Sequence, residues 1–70
     1  MITVLKGDIL ELHSENGLIY KVEILNINEY RPPEMKYACN IIDPNGNSYF
    51  STYGDYYFCG DDFIQKLEKK

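Results

Sequence analysis

The fold is decided by one stretch of alternating residues, Leu18-Ile19-Tyr20-Lys21-Val22-Glu23-Ile24-Leu25-Asn26-Ile27-Asn28. Its first half places apolar side chains on even positions and charged ones between them, which is typical of a strand with one buried and one solvated face. After Leu25 the apolar side chain moves to an odd position, at Ile27, and one extra residue in a strand produces such a change of face. The stretch therefore predicts one long strand with a bulge or sharp bend near Ile24-Leu25.

Hairpin signals lie on both sides of this strand. Upstream, Ile9–His13 predicts a strand that turns back through Ser14-Glu15-Asn16-Gly17, because Asn-Gly favours positive φ. Downstream, residues 29–34 contain Pro32-Pro33, which removes two backbone donors and predicts a loop. These signals predict a hairpin before the long strand and a loop after it.

The second half of the chain repeats the pattern with shorter segments. Residues 35–42 alternate, so Met35, Tyr37, Cys39 and Ile41 should share one face. Asp43-Pro44-Asn45-Gly46 predicts a turn onto a strand at residues 48–53, and Gly54-Asp55 leads into a short aromatic strand at 56–59.

Residues 61–67 leave two alternatives open. Asp61 or Asp62 could cap a single helical turn, in which Phe63, Ile64 and Leu67 have helical spacing. A 3-10 turn followed by a final strand fits the same residues equally well.

These elements predict a single all-β domain over residues 1–70, since a chain this short buries only about 60% of its surface and cannot divide its core. A five-stranded, strongly curved antiparallel sheet is expected. The pattern resembles small SH3-like barrels in its Gly7-Asp8 opening, its bent second strand, its Asp43–Gly46 hairpin and its acidic turn before the last strand. The resemblance implies a barrel and the use of sheet edges and loops to bind peptides or nucleic acid, and it carries over no site. Abundant Ile, Asn, Lys and Tyr also resemble the composition of small proteins from AT-rich Gram-positive bacteria and their phages.

Composition and charge narrow the function. The formal charge is −4 and Arg31 is the only arginine, which disfavours ordinary duplex nucleic-acid binding because phosphates require clustered cations. No apolar run approaches the roughly 18 residues of a membrane span, and the N-terminus lacks the features of a signal peptide, so we expect a cytoplasmic protein. Cys39 and Cys59 are accordingly expected to be buried thiols.

The residue types that carry chemistry do not form a recognisable catalytic or metal-binding motif. His13, the sole histidine, is interpreted as a solvated residue at a hairpin. A zinc site built from His13, Cys39 and Cys59 lacks the locally paired ligands of recognisable zinc sites. Asp61-Asp62 lacks the further carboxylates of a magnesium centre, and no glycine-rich phosphate loop is present. The sequence therefore predicts no enzyme, no cofactor and no metal.

The aromatic surplus is the remaining signal, because ten of the 70 residues are Tyr or Phe and six of them lie between Tyr49 and Phe58. Alternation sends these rings to both faces of a sheet, where they serve either as core filler or as an exposed patch. Tyrosine is enriched at interface hot spots, and neighbouring carboxylates favour a basic partner. We therefore predict a protein-interaction module, an adaptor or inhibitor, whose partner-binding residues are Tyr30, Arg31, Tyr53, Asp55, Tyr56 and Tyr57.

Three alternatives remain open. The same tyrosines could stack the bases of a single-stranded nucleic acid. The acidic surface could instead imitate nucleic acid and occupy a DNA-binding protein. The aromatic patch could also join two copies of the chain as a homodimer.

Overall fold

A computed structural model describes residues 2–50 and 56–69 of the chain. Within these residues six strands form one sheet, and the predicted all-β class is confirmed. A 3-10 turn at Pro33–Met35 and one short helix complete the fold. The elements are β1 (Ile9–His13), β2 (Ile19–Ile27), β3 (Tyr37–Ile42), β4 (Ser48–Phe50), β5 (Tyr57–Cys59), α1 (Asp61–Ile64) and β6 (Glu68–Lys69).

Strands β1, β2 and β3 form an antiparallel meander, and its first two strands are the predicted hairpin. In the turn between β1 and β2, the Gly17 amide donates to the Ser14 carbonyl at 3.1 Å, and Gly17 has the positive φ of 86° that favours glycine. The β2–β3 register shifts between Ile24 and Asn26, which confirms the predicted bulge. The bulge bends β2 and re-aims the side chains that follow it.

Strands β4 and β5 occupy the same edge of β3, because β2 takes the other edge along its whole length. Phe50 of β4 pairs with Ile41, and Tyr57 of β5 pairs with Cys39, both antiparallel. In β3, Asn40 alone lies between these two pairings, whereas residues 51–56 lie between Phe50 and Tyr57 in the chain. The predicted strand at 48–53 is confirmed over Ser48–Phe50, and residues 51–53 lie outside the described residues.

At the C-terminal end the predicted single helical turn forms over Asp61–Ile64, and a final strand follows at Glu68–Lys69, beyond the 61–67 range of the prediction. Helix α1 makes a single turn, and β6 then pairs with β1 through Leu10 with Lys69 and Glu11 with Glu68. Gly60, and neither aspartate, holds the N-cap position.

The core lies on the face that the alternation of β2 predicts. Its fully buried side chains come from the meander and from α1, and they are Leu10, Val22, Ile24, Cys39 and Ile64. Among the described residues, no pairing joins β6 to β4 or β5, so the sheet is not closed. In the same part of the chain, no helix has the length and apolar character needed to cross a membrane.

Candidate partner-binding surface

The connection between β2 and β3 is held by its own arginine. The Arg31 Nε donates to the Met35 carbonyl at 2.7 Å, and its Nη2 donates to the Lys36 carbonyl at 3.0 Å and to the Asn26 side-chain oxygen at 3.3 Å. The Asn28 amide also donates to the Lys36 carbonyl, at 2.9 Å. A planar guanidinium with several fixed donors is suited to closing a loop in this way.

A close backbone approach sets this loop against β5. A Cβ atom built on Gly60 would lie 2.5 Å from the Pro33 carbonyl oxygen and 3.1 Å from the Glu34 Cα. Both neighbours are backbone atoms, so no side-chain rotation could relieve the contact. Only glycine allows the 3-10 turn to pack this tightly on the end of β5.

The outer side of β3 and β5 forms a groove of about 370 Å³, here called the Phe58 groove. The Arg31 guanidinium carbon lies 5.3 Å from the centre of the Phe58 ring, within the range of a cation–π contact. The Tyr56 ring lies 6.0 Å from the Phe58 ring, and 46% of Tyr56 is exposed. The residues lining the groove are Leu25, Asn26, Asn28, Arg31, Ala38, Tyr56 and Phe58.

Tyr30 stands next to this groove in the chain and is 100% exposed. Its backbone is fixed, because the Tyr30 amide donates to the Asn28 side-chain oxygen at 2.9 Å. A large apolar ring is therefore displayed in water on a loop whose backbone is hydrogen-bonded.

A second, larger groove of about 670 Å³ lies on the other side of Phe58, which lines both. It runs between the 3-10 turn and α1, and Tyr57, Phe63 and Lys66 contribute to its wall. We call it the acidic groove because its lining includes three exposed carboxylates, those of Glu34, Asp61 and Asp62.

The inner side of the same strands is core. The Tyr57 ring lies 5.2 Å from the Phe63 ring, and burial raises the pKa of Tyr57. Tyr37 is 7% exposed and its hydroxyl donates to Asp61 Oδ1 at 2.6 Å. Burial, together with this hydrogen bond, raises the pKa of Tyr37 to about 12.

Both cysteines are buried free thiols, as predicted, and the fold brings them together with Sγ atoms 3.7 Å apart. The hydrogen bond between them lowers the pKa of Cys39, against the effect of burial. The same hydrogen bond, together with burial, raises the pKa of Cys59. His13 does not lie together with the two cysteines. Within residues 2–50 and 56–69, the one set of three potential metal ligands joins His13 to Glu11 and Glu68 instead.

The structure joins part of the predicted partner surface. Arg31 and Tyr56 line one groove and Tyr30 adjoins it, whereas Tyr57 packs inward against the core. Tyr53 and Asp55 lie outside the described residues. Sequence reasoning did not select Phe58, although its even position beside Tyr56 already placed both rings on one face.

No protein-family model, curated protein or solved structure matches this chain.

Proposed function

We propose that this chain is a small protein-interaction module, an adaptor or inhibitor, that binds its partner through the Phe58 groove and Tyr30. The observation that carries the proposal is the outward-facing set of Tyr56, Phe58 and a fully exposed Tyr30 beside a hydrogen-bonded arginine. Its role is binding without catalysis.

Preorganisation supports this surface as a binding site. Arg31 makes three hydrogen bonds, to Asn26 of β2 and to the Met35 and Lys36 carbonyls, so its rotamer is already fixed before a partner arrives. Ordering one flexible side chain at an interface costs about 0.5–1.5 kcal/mol, and a fixed arginine avoids that cost. Tyrosine and arginine are also the residue types most enriched in interface hot spots.

Charge supports a basic partner. Glu34, Asp61 and Asp62 are exposed along the acidic groove, next to the Phe58 ring that lines both grooves. A partner that places an apolar side chain on Phe58 and lysines or arginines over these carboxylates would match both chemistries. The net charge of −4 also favours a positively charged partner.

We also propose that the sheet belongs to an SH3-like barrel in a cytoplasmic protein. Support for the barrel comes from the strand order β4-β3-β2-β1-β6, the bulge in β2 and the helical turn directly before β6. Two buried cysteines that form no disulfide fit a reducing compartment.

The test is capture of partners from a nuclease-treated lysate on the immobilised protein, compared with a Tyr30→Ala/Tyr56→Ala variant. Removing two exposed hot-spot rings should weaken capture of the partner at least about tenfold, since hot-spot truncations typically exceed 1 kcal/mol each. Tyr57 is left intact because it packs inward and its loss would disturb the fold.

A Leu5→Ala/Ile9→Ala variant is the matched control, because both side chains are exposed, at 66% and 50%, and neither lines the two grooves. Equal capture by both variants would refute the proposed surface. Binding of an added single-stranded oligonucleotide, with no protein captured and with an affinity that falls as salt rises, would favour base stacking instead. Concentration-dependent sedimentation without any captured partner would favour a homodimer.

A further inference from the structure

A cluster of three potential metal ligands lies on β1 and β6, away from both grooves. Glu11 and His13 are two residues apart in β1 and therefore project from the same face. Glu68 of β6 pairs directly with Glu11 across the strands, so its side chain projects from that face as well. The pairing of the last strand with the first thus assembles the cluster.

Two carboxylates converge on a single imidazole nitrogen. His13 Nε2 lies 2.7 Å from Glu68 Oε2 and 3.1 Å from Glu11 Oε1. The three ligand atoms all lie within 4.8 Å of one another. An Nε2–H group points along one direction and can make a linear hydrogen bond to only one of the two oxygens.

A metal ion can bind the His13 nitrogen and one oxygen each of Glu11 and Glu68 at the same time. Metal–ligand bonds of about 2.0–2.2 Å place adjacent ligand atoms about 3–3.5 Å apart around a tetrahedral or octahedral ion. The observed separations at His13 Nε2 lie close to that range, so small rotations of two exposed side chains would admit an ion between them. We infer that Glu11, His13 and Glu68 form a binding site for a divalent transition-metal ion, with Zn²⁺ as the reference ion.

The donor set selects the class of ion. One imidazole nitrogen with two carboxylates suits Zn²⁺, Co²⁺, Ni²⁺ and Cu²⁺, whereas Mg²⁺ and Ca²⁺ prefer sets made only of oxygen. The side chains of His13 and Glu68 are 47% and 65% exposed, so water has access to the remaining coordination positions. Lys21 pairs with Glu11 across β1 and β2, so this cation lies on the same face of the sheet, beside the cluster.

Metal binding at this site would join β6 to β1. An ion that binds only the paired strands stabilises the folded chain by mass action. Because β6 has only two paired residues, Glu68 and Lys69, the bridge would reinforce the shortest strand of the sheet.

The experiment uses Zn²⁺ alone with the full chain and follows the melting temperature and the ring signals of His13 by NMR. The single histidine makes its ring signals an unambiguous reporter. At a Zn²⁺ concentration about ten times the dissociation constant, Tm should rise by about 5–10 °C. The His13 ring signals should shift with the same dissociation constant.

Glu68→Gln and His13→Asn should each reduce the Zn²⁺ affinity at least about tenfold, as expected from loss of one ligand of three. Glu15→Gln removes the same charge from an exposed turn and should leave the affinity unchanged. His13 signals that do not move with Zn²⁺ would overturn the site, as would equal Zn²⁺ affinity in Glu68→Gln and the parent protein. An equal Tm rise with Ca²⁺ would show a nonspecific charge effect and would also overturn it.

Discussion

Tyr57 and Phe58 are neighbours in β5, yet their rings have opposite surroundings. The Tyr57 ring packs on Phe63 beneath the sheet, beside the buried Cys59, whereas the Phe58 ring lies outside it under the Arg31 guanidinium. The inner ring is held by burial against Phe63, whereas the outer ring contacts the Arg31 guanidinium and the Tyr56 ring. The aromatic surplus of this chain therefore serves both the core and a surface, and the two sides should respond differently to substitution.

The largest effect on the free energy of unfolding is expected when Tyr56 and Tyr57, whose rings lie on opposite faces of the sheet, are compared. Tyr57→Ala should lower the free energy of unfolding by about 2–3 kcal/mol, somewhat less than a fully buried aromatic residue, because it removes a half-buried ring from the core. Tyr56→Ala removes an exposed ring and should change it by no more than about 0.5 kcal/mol. Urea unfolding of both variants measures the difference, and similar losses would contradict the assignment of inner and outer sides.

An intermediate effect is expected where the loop meets β5. Gly60→Ala places a Cβ atom against the Pro33 carbonyl and should lower the free energy of unfolding by about 1–3 kcal/mol, the usual cost of overpacking. Lys66→Ala, an exposed change in the same segment, is the control and should stay within about 0.5 kcal/mol. An unchanged Gly60→Ala midpoint would show that the 3-10 turn can move away from β5 without cost.

The smallest effect on stability is expected at Tyr37 of the inner face, and this effect depends on pH. Tyr37→Phe removes the hydrogen bond to Asp61 and should cost about 1 kcal/mol at neutral pH, since the exposed carboxylate regains water. The folded pKa of Tyr37 is about 12 against an ordinary 10.0, so its contribution is complete below pH 10 and is lost as pH rises to 12.

Unfolding measured between pH 10 and 12 should therefore lose stability less steeply in Tyr37→Phe than in the parent protein. Tyr30→Phe, which removes a fully exposed hydroxyl, is the matched control variant. Parallel slopes for the parent protein and Tyr37→Phe would mean that Tyr37 does not titrate differently in the folded state.

Local pattern was sufficient for most of the secondary structure. Alternation identified the buried face of β2, the shift of apolar positions located its bulge, and turn residues marked the hairpins at Gly17 and Gly46. These features depend on neighbours in sequence, so they can be derived without knowledge of distant contacts.

The partner-binding surface could be predicted only in part, because no local sequence pattern indicates the contacts that form it. Tyr30 and Tyr56 were selected by residue type, but the capture of Arg31 by Met35 and Lys36 depends on the path of an irregular loop. The convergence of Glu68 on His13 requires the β1–β6 pairing, which no spacing in the sequence indicates.

The joining of the chain's two ends has a consequence for the order of folding. The Gln65 side-chain amide accepts a hydrogen bond from the Ile2 amide at 2.9 Å and donates one to the Ile2 carbonyl at 3.1 Å. Strand β6 pairs with β1 although 59 positions separate Leu10 from Lys69. The β1–β2 hairpin closes a loop of a few residues, whereas this closure brings together distant parts of the chain and is entropically slower. We therefore expect docking of β6 to be a late event that follows formation of the β1–β2–β3 meander.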